Sequence, residues 1–476
     1  MDERIVDVAI VGAGTAGLNA RREVEKRGGR PLLIEAGPYG TTCARVGCMP
    51  SKLLIAASDA AHGISSAAAL GIHAEARIDG PEVMARVQRE RDRFVAFTVE
   101  VTEAIPAEQR LLGHARFTGP TTLMVGENAR VSARAVIIAT GSTPFVPPPF
   151  AAIRAHVMVN DDVFELRALP SSLAVIGTGV IALELGQAMQ RLGVRVVFFS
   201  PFDDLGPFTD PAVQAVALRE LSSELDLRLR ARIVAAEPGE DGVLLRWEAA
   251  DGTLGEARFA KVLLAAGRRP NIAGLDLAAS GLSLNAAGLP EVDAATAQCG
   301  NSPIFLAGDV AGHRPLLHEA ADEGRIAGAN AMLWPDVEPH ERRTPLAIAF
   351  TDPQMGMVGL RHDQLPKGDH AIGEASYERQ GRARVMGRNR GLVRVYGEVC
   401  SGRLLGAEMF GPGMEHMAQL LAWVVQQRMT VPQALTMPFY HPVLEEGLRT
   451  ALRDLAAKLK VLDQCRPEDL VESAGQ

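Results

Sequence analysis

Two cysteines five positions apart form the most reactive pair in the sequence. Cys43 and Cys48 lie in the segment TTCARVGCMPSK, and the chain of 476 residues has only 5 cysteines. Two thiols this close along the chain could exchange electrons with a substrate by forming and breaking a disulfide. In an ideal α-helix their Cα atoms would be about 8.6 Å apart, whereas a disulfide tolerates at most roughly 7 Å. A bond between them therefore requires a break in the helix, for which Gly47 supplies backbone freedom.

Structural roles explain this pair less well. An odd, sparse set of cysteines is typical of a reducing compartment, where thiols rarely act as crosslinks. A bond between Cys43 and Cys48 would close a very small loop and stabilise the fold little. A zinc site would need a second cysteine or histidine pair at ligand spacing, which the sequence does not offer nearby. Two unrelated buried cysteines are the alternative to redox chemistry.

A second reactive cluster is the segment YHPVLEE near the end of the chain. An imidazole such as that of His441 is the side chain best suited near neutrality to accept a proton from a dithiol. Glu446, five positions later, could orient the ring by accepting a hydrogen bond from its other nitrogen. The alternative is a structural His-Pro turn without a catalytic role.

The first residues predict a dinucleotide-binding βαβ unit. The segment RIVDVAIVGAGTAG begins a strand, a glycine turn and a helix, and a second strand follows that ends at Glu35. In such a unit Gly12 makes the tight turn, Gly14 lets the backbone approach a pyrophosphate, and Gly17 lets the helix pack on the strand. Glu35 would accept hydrogen bonds from a ribose.

A second copy of this pattern occupies residues 172–200, with Gly177, Gly179 and Ala182 at the fingerprint positions. Ser200 stands where an acid would bind the ribose of NAD, and no arginine follows closely to bind the 2′-phosphate of NADP. Both nicotinamides therefore stay open. Two dinucleotide folds in one chain predict a bound flavin and an exchanging nicotinamide that pass a hydride between them.

Composition narrows the partners and the location. The net charge of −8 and the absence of a long basic run argue against binding to nucleic acid. The most apolar region, residues 53–74, is interrupted by Ser58, Asp59, His62 and His73, so we expect no membrane anchor. The acidic start MDERIVDV leads directly into the first strand and leaves no room for a signal peptide, so we expect a cytoplasmic protein.

Together with ATGSTP at 139–144, AAGRRPN at 265–271 and FLAGDV at 305–310, these motifs resemble those of the pyridine nucleotide-disulfide oxidoreductases, most of all the dihydrolipoamide dehydrogenases. The resemblance covers nearly the whole chain. It implies an α/β fold with two Rossmann-like dinucleotide-binding domains, for FAD and NAD, and a C-terminal α+β dimerisation domain. The implied boundaries are 1–150 and 276–345 for the FAD domain, 151–275 for the NAD(P) domain and 346–476 for the dimerisation domain.

The resemblance also implies roles for individual residues. Cys43 would exchange with substrate sulfur and Cys48 would lie against the flavin, and both thiols would need a lowered pKa. Lys52 would lie near the flavin and pair with Glu184, and His441 would act on the disulfide of the partner chain in a homodimer. The expected FAD contacts are Gly12, Gly14, Gly17, Glu35, Thr42, Lys52, Ala115, Thr140, Gly141, Ser142, Asp309 and Leu317. The expected NAD(P) contacts are Gly177, Gly179, Ala182, Ser200 and Gly267.

Three departures from the family pattern lie near the expected substrate entrance: Thr41, Arg45 and Val443. They leave the disulfide chemistry intact but leave the identity of the substrate open. The leading hypothesis is oxidation of dihydrolipoyl groups by NAD. The alternatives are an NAD(P)H-dependent reductase of another disulfide or oxidant, similar to glutathione reductase, and a flavin-containing scaffold subunit. Mercuric reductase is disfavoured because the C-terminal tail has Cys465 alone instead of a cysteine pair.

Overall fold

The computed structural model of the protein describes residues 2–460, so Cys465 lies outside the described residues. The α-helices, in chain order, are α1 (Thr15–Lys26), α2 (Thr42–Val46), α3 (Cys48–Ser66), α4 (Gly80–Glu103), α5 (Pro148–Ala151), α6 (Asn160–Val163), α7 (Val180–Arg191), α8 (Pro211–Ser222), α9 (Leu317–Leu333), α10 (Gly381–Val385), α11 (Met414–Gln426), α12 (Val431–Leu435) and α13 (Glu446–Lys460). The β-strands are β1 (Asp2–Val11), β2 (Pro31–Glu35), β3 (Arg110–Leu112), β4 (Ala115–Gly119), β5 (Thr122–Val125), β6 (Ala129–Ile138), β7 (Ser142–Pro144), β8 (Met158–Val159), β9 (Ser172–Ile176), β10 (Arg195–Phe199), β11 (Asp226–Arg228), β12 (Arg232–Gly239), β13 (Gly242–Glu248), β14 (Leu254–Phe259), β15 (Lys261–Leu264), β16 (Arg268–Pro270), β17 (Ile304–Leu306), β18 (Leu346–Ala349), β19 (Gln354–Gly359), β20 (His370–Ser376), β21 (Leu392–Glu398) and β22 (Leu404–Gly411).

The first sheet has seven strands in the order β3-β2-β1-β6-β5-β4, and β17 adds to it alongside β6. Strand β1 pairs in parallel with β2 and β6, and its residues Val8, Ala9 and Ile10 are completely buried. Burial of consecutive residues is typical of a parallel strand that is covered on both faces. Because β17 follows the second dinucleotide fold in the chain, segments on both sides of that fold contribute to one sheet. The exact domain boundaries stay predictions.

The second sheet repeats the first arrangement with five parallel strands in the order β11-β10-β9-β15-β8. The turn from β9 into α7 passes through Gly177, which has a φ of +119°. A Cβ atom at this position would lie 2.5 Å from the carbonyl oxygen of Ala265, so only glycine fits. The strand, glycine turn and helix thus occur twice, which confirms the two Rossmann-like folds predicted from the sequence.

The C-terminal sheet is antiparallel, with the strand order β18-β19-β22-β21-β20. Helices α11 and α13 pack on it through a core that includes Met409, Met417 and Leu455. Helices packed against one face of an antiparallel sheet form an α+β domain, as expected. This domain carries His441 and Glu446.

A wholly buried carboxylate joins this sheet to the second Rossmann-like fold. Glu408 in β22 accepts hydrogen bonds from the backbone N–H of Thr209 (2.8 Å), the hydroxyl of Thr209 (2.6 Å) and the backbone N–H groups of Asp210 (3.0 Å) and His362 (2.9 Å). Asp210 caps α8 through the N–H of Ala212. Since Glu408 is fully desolvated, the three donors of Thr209 and Asp210 fix how the C-terminal sheet sits on the nucleotide-binding part.

One stretch of the described residues, the 29 residues of Thr42–Leu70, is long and apolar enough to span a membrane, because one 18-residue window within it has a mean hydropathy of 1.3. The evidence for a membrane span is weak, because core helices of other proteins pass the same test and because Lys52 in this stretch forms an ion pair with Glu184. The expectation of no membrane anchor stays a prediction.

We expect Glu408→Gln to lower the free energy of unfolding by about 2 to 4 kcal/mol, because the new amide group would point a donor at buried donors. Urea denaturation followed by fluorescence would measure this loss. The matched control is Glu374→Gln on the neighbouring strand β20, where the side chain is half exposed. This control should change stability by less than about 0.5 kcal/mol, and an equal loss in both variants would contradict the role of Glu408.

Candidate active site

The two cysteines lie on either side of a helix break. Helix α2 ends at Val46 and α3 begins at Cys48, and Gly47 between them has φ −120° and ψ −122°. A Cβ atom on Gly47 would lie 3.0 Å from both the Cα of Cys43 and the carbonyl oxygen of Thr42. The backbone therefore folds tightly back on itself here. The helix break that the spacing of the cysteines requires is present.

Both cysteines are free thiols, and a hydrogen bond between them separates their ionisation. The Cys43 thiol donates to the Cys48 sulfur, and this bond is the largest cause that lowers the pKa of Cys48 to about 6, with a further contribution from the positive charge of Lys52. The same bond, together with burial, raises the pKa of Cys43 above its ordinary value. The expectation that both thiols have a lowered pKa is therefore wrong. The proton stays on Cys43 and the negative charge on Cys48.

A third cysteine shows the opposite environment. Cys299 is buried in the core beneath the first sheet, and burial raises the pKa of its thiol to about 12. A neutral thiol is a poor nucleophile. Cys299 therefore stays a neutral thiol under conditions in which Cys48 is a thiolate.

Lys52 and Glu184 form the ion pair that the resemblance implies. The Lys52 Nζ lies 2.7 Å from Glu184 Oε2, and the Glu184 side chain is only 6% exposed. The other carboxylate oxygen accepts from the backbone N–H of Phe350 (2.8 Å), whose ring centre lies 4.5 Å from Lys52 Nζ. Phe350 thus holds both members of the pair. Sequence reasoning missed it, because no local motif predicts that this backbone N–H faces Glu184.

The residues around the first glycine turn fit a dinucleotide such as FAD. A Cβ on Gly12 would lie 2.3 Å from the carbonyl oxygen of Ala139, and one on Gly17 would lie 1.8 Å from the carbonyl oxygen of Gly12. Gly14, in contrast, faces open space where a pyrophosphate could approach. The hydroxyl of Thr140 is buried without a hydrogen-bond partner among the described residues, so it is available to a ligand.

The other expected FAD contacts occupy varied local environments. Glu35 accepts from the backbone N–H groups of Ala13 (2.7 Å) and Gly37 (2.9 Å), and Ser142 donates to Asp309 Oδ2 (2.8 Å). The remaining ones are a buried residue in β4, a glycine with positive φ, and two exposed residues that begin α2 and α9: Ala115, Gly141, Thr42 and Leu317. Their contacts with FAD stay predictions.

The second fingerprint is similarly open. Gly179 and Gly267 have free space where a Cβ would lie, and Ala182 is buried in α7. These features fit a nicotinamide dinucleotide at the ends of β9 and β15. The predicted contact Ser200 is buried, and its hydroxyl accepts from the backbone N–H of Phe202 (3.2 Å).

Strand pairing brings two arginines close to Ser200. The Ser200 N–H donates to the carbonyl oxygen of Arg228 (3.1 Å), and the Arg230 N–H donates to that of Phe202 (3.0 Å). A search along the sequence just after Ser200 could not find these arginines, because β11 lies beyond α8. Arg230 already pairs with Asp203, so the charges at this edge remain compatible with either NAD or NADP.

His441 and Glu446 form the second reactive pair. His441 Nδ1 lies 2.9 Å from Glu446 Oε1, and this bond is the main cause that lowers the pKa of Glu446. Glu446 Oε2 also accepts from the backbone N–H of Val443 (3.2 Å), which fixes the carboxylate. The His441 side chain is 80% exposed. The partner thiol, burial and, for Cys48, the charge of Lys52 shift the pKa values of the two thiols. The exposed imidazole uses its Nδ1 on Glu446.

This combination of two dinucleotide folds with a polarised thiol pair corresponds to a known family. The family model described as pyridine nucleotide-disulphide oxidoreductase matches residues 6–324, and the dimerisation domain of the same family matches residues 346–452. The chain belongs to this family. It is therefore an oxidoreductase of the flavoprotein class that uses FAD and NAD(P).

Several known proteins are similar over nearly their full length. The chain is 31% identical to dihydrolipoyl dehydrogenase 3 of Pseudomonas aeruginosa, over 94% of this chain and 97% of the relative. It is also 31% identical to a mercuric reductase of Acidithiobacillus ferrooxidans, over 98% of this chain and 85% of the relative. The solved structure of LpdA from Mycobacterium tuberculosis superposes with a TM-score of 0.80 at 25% identity, covering 95% of this chain and 99% of that one.

We expect a Cys48 thiolate to persist in the reduced protein down to about pH 6, as its pKa indicates. Next to oxidised flavin this thiolate should give a long-wavelength charge-transfer absorbance that disappears below that pH. Cys43→Ala and Lys52→Met should each move the midpoint upward, because they remove a hydrogen bond and a positive charge that favour the thiolate. Lys26→Met, at an exposed lysine, is the control. A midpoint near that of an ordinary cysteine in the unaltered protein would refute the polarised pair.

Proposed function

We propose that the protein oxidises dihydrolipoyl groups with NAD, through a redox-active disulfide between Cys43 and Cys48 and a bound FAD. The observation that carries the proposal is the pair of free thiols on either side of the Gly47 break, in which the pKa of Cys48 is lowered and that of Cys43 is raised. This is the asymmetry that a thiol exchanging with substrate and a thiolate facing a flavin require. The similarity to dihydrolipoyl dehydrogenases supports the choice of substrate.

The proposed reaction begins with the disulfide form of the pair. One substrate thiolate attacks the Cys43 sulfur, forms a mixed disulfide and releases Cys48 as a thiolate. The second thiolate of the substrate then attacks the first substrate sulfur, which is bonded to Cys43 in the mixed disulfide. This attack closes the substrate disulfide and releases Cys43. The substrate thus loses two electrons, which the cysteine pair gains, and two protons: His441 accepts one, and the Cys43 sulfur takes up the other when it leaves the mixed disulfide. Bound FAD would pass the electron pair on to the nicotinamide as a hydride.

We further propose that His441 serves the thiol pair of a second copy of the chain. The family's dimerisation domain includes His441, and the imidazole is largely exposed in the single chain. The Glu446 carboxylate orients the ring through Nδ1, which leaves Nε2 to accept the proton. The proposed assembly is a homodimer in the cytoplasm, with no nucleic-acid or membrane partner.

A second candidate is reduction of another disulfide or oxidant by NAD(P)H. The departures Thr41, Arg45 and Val443 support it, because they lie near the proposed substrate entrance and in the segments that hold Cys43 and His441. The similarity to a mercuric reductase also supports a different substrate. Turnover of a panel of dithiols, disulfides and metal ions with both nicotinamides would decide between the candidates. Faster reduction of another oxidant than oxidation of dihydrolipoamide would reject the first.

His441→Gln should lower turnover of dihydrolipoamide by a factor of about 100 to 10,000, the usual contribution of a general base. Reduction of an artificial acceptor by NADH should change little, because this reaction bypasses the dithiol. Steady-state assays of both reactions on the same preparation would measure the difference. Glu446→Gln should have a smaller effect, since the imidazole remains.

Comparing dihydrolipoamide turnover with reduction of the artificial acceptor distinguishes a catalytic role of His441 from a structural one. A structural His-Pro turn predicts that flavin content, thermal stability and both activities fall together. An equal loss of both activities in a folded, flavin-containing His441→Gln protein would therefore reject the catalytic role.

Inactive chains should complement each other if the site spans two copies. Co-expression of Cys43→Ser and His441→Gln chains in equal amounts should restore about a quarter of the wild-type activity, because half of the dimers are hybrids and each hybrid has one complete site. Affinity purification through two different tags would isolate the hybrids for assay. Hybrids without activity would place His441 and Cys43 of one chain in the same site.

A further inference from the structure

Arg268 lies at a junction between two parts of the proposed active site. Its guanidinium donates from Nε to the hydroxyl of Ser142 (2.7 Å) and from Nη2 to the backbone carbonyl of Ser142 (2.8 Å). From Nη1 it donates to the side-chain oxygen of Asn160 (3.1 Å). All three nitrogens of the guanidinium are thus used, which fixes the plane of the group.

The first arm of this junction leads to the proposed flavin contacts. The Ser142 hydroxyl accepts from Arg268 and donates to Asp309 Oδ2 (2.8 Å). Because one hydroxyl has a single proton, the bond from Arg268 leaves that proton to Asp309. Arg268 therefore determines the orientation of the hydroxyl and, through it, the carboxylate of Asp309.

The second arm leads to the turn between the two cysteines. The side-chain amide of Asn160 donates to the carbonyl oxygen of Val46 (3.3 Å) and to Asp161 Oδ1 (2.8 Å), while its oxygen accepts from Arg268. Asn160 is buried. Val46 is the last residue of α2 and directly precedes the Gly47 break. The bond thus holds the backbone that sets the distance from Cys43 to Cys48.

Charge also favours the arginine at this junction. Burial raises the pKa of Asp161, and the positive charge of Arg268 is the largest of the opposing influences, followed by that of Arg45 on α2. Removal of Arg268 would leave a half-buried carboxylate beside the turn with less compensation. Arginine at this position thus contributes both its planar donor geometry and its charge.

We propose that Arg268 is a positioning residue that joins the Ser142–Asp309 pair to the Cys43–Cys48 turn. A single side chain thus fixes the position of the proposed flavin contacts and of the two cysteines. The proposal deepens the proposed function and rests on it for the role of the turn. It does not depend on which dithiol is the substrate. A lysine could not replace Arg268, because a single ammonium cannot reach three acceptors in one plane.

Two substitutions separate the arms. Ser142→Ala removes the link to Asp309 and leaves the bond from Arg268 to Asn160. Asn160→Leu has a similar volume and removes the link to Val46, but leaves the bonds from Arg268 to Ser142. Arg268→Gln should affect both arms. The control is Arg269→Gln, because the neighbouring Arg269 is exposed and stacks on Phe145 at 4.1 Å instead.

Two measurements on the full-length protein test separately the contacts of Arg268 with Ser142 and Asp309 and those with Asn160 and Val46. The first is the dissociation constant of FAD, from fluorescence titration of the flavin-free protein. The second is the pH midpoint of the charge-transfer absorbance of the reduced protein at saturating FAD, which reports the Cys48 thiolate. Thermal unfolding of each variant measures general loss of stability.

We expect Ser142→Ala to weaken FAD binding about tenfold, as loss of a hydrogen bond to a charged group does, and to leave the pH midpoint unchanged. Asn160→Leu should raise the midpoint by about one pH unit, corresponding to about 1.4 kcal/mol, and leave FAD binding within about twofold. Arg268→Gln should change both quantities, and Arg269→Gln neither.

The proposal is overturned if Ser142→Ala and Asn160→Leu change both quantities together in proportion to the loss of thermal stability, or if Arg268→Gln changes neither. If Asn160→Leu does not fold, Asn160→Asp provides the same test, because a carboxylate still accepts from Arg268 but cannot donate to Val46. Absence of FAD binding or of the charge-transfer absorbance in the unaltered protein would instead reject the proposed function itself.

Discussion

The hydrogen bond from the Cys43 thiol to the Cys48 sulfur is the interaction on which the chemistry of this protein depends. It makes two identical side chains different, because it places the charge on one sulfur and the proton on the other. The bond exists only because α2 stops before Gly47 and α3 starts after it. A continuous helix would separate the sulfurs and leave two ordinary thiols. The backbone turn at Gly47 is thus the cause of the difference in pKa between Cys43 and Cys48.

The surrounding fold serves to hold this turn and to bring charges to it. Lys52 follows Cys48 by about one helical turn, and its ammonium is held by Glu184 from the second Rossmann-like fold. The carboxylate is held in turn by the backbone of Phe350, which directly follows β18 of the C-terminal sheet. Glu408 secures that sheet on the nucleotide-binding part through three hydrogen bonds from Thr209 and Asp210. Each support is itself buried or partly buried, so its hydrogen bonds compete little with water.

The sequence predicts those parts of the site that local physics determines. The glycine turns at Gly12 and Gly177 were predictable because a side chain there would collide with the backbone, and the break at Gly47 because the sulfurs must approach. The resemblance to the family added the Lys52–Glu184 pair, which no local rule indicates. Arg228 near Ser200 and the contacts of Asn160 with Val46 were not predictable in this way. They depend on strand pairing and on packing between distant segments, and neither leaves a periodic or spaced pattern in the sequence.

The contact of Glu184 with Lys52 spans 132 positions of the chain, and its contact with Phe350 spans 166. Contacts between such remote positions close large loops and form late, after the local elements that they connect. During synthesis the cysteines leave the ribosome long before the segment that contains Phe350. A growing chain therefore contains both thiols while their charged surroundings are still incomplete. The bond between the two thiols is local and needs only the turn at Gly47, whereas the ion pair of Lys52 with Glu184 is fixed by Phe350 only when the last sheet docks.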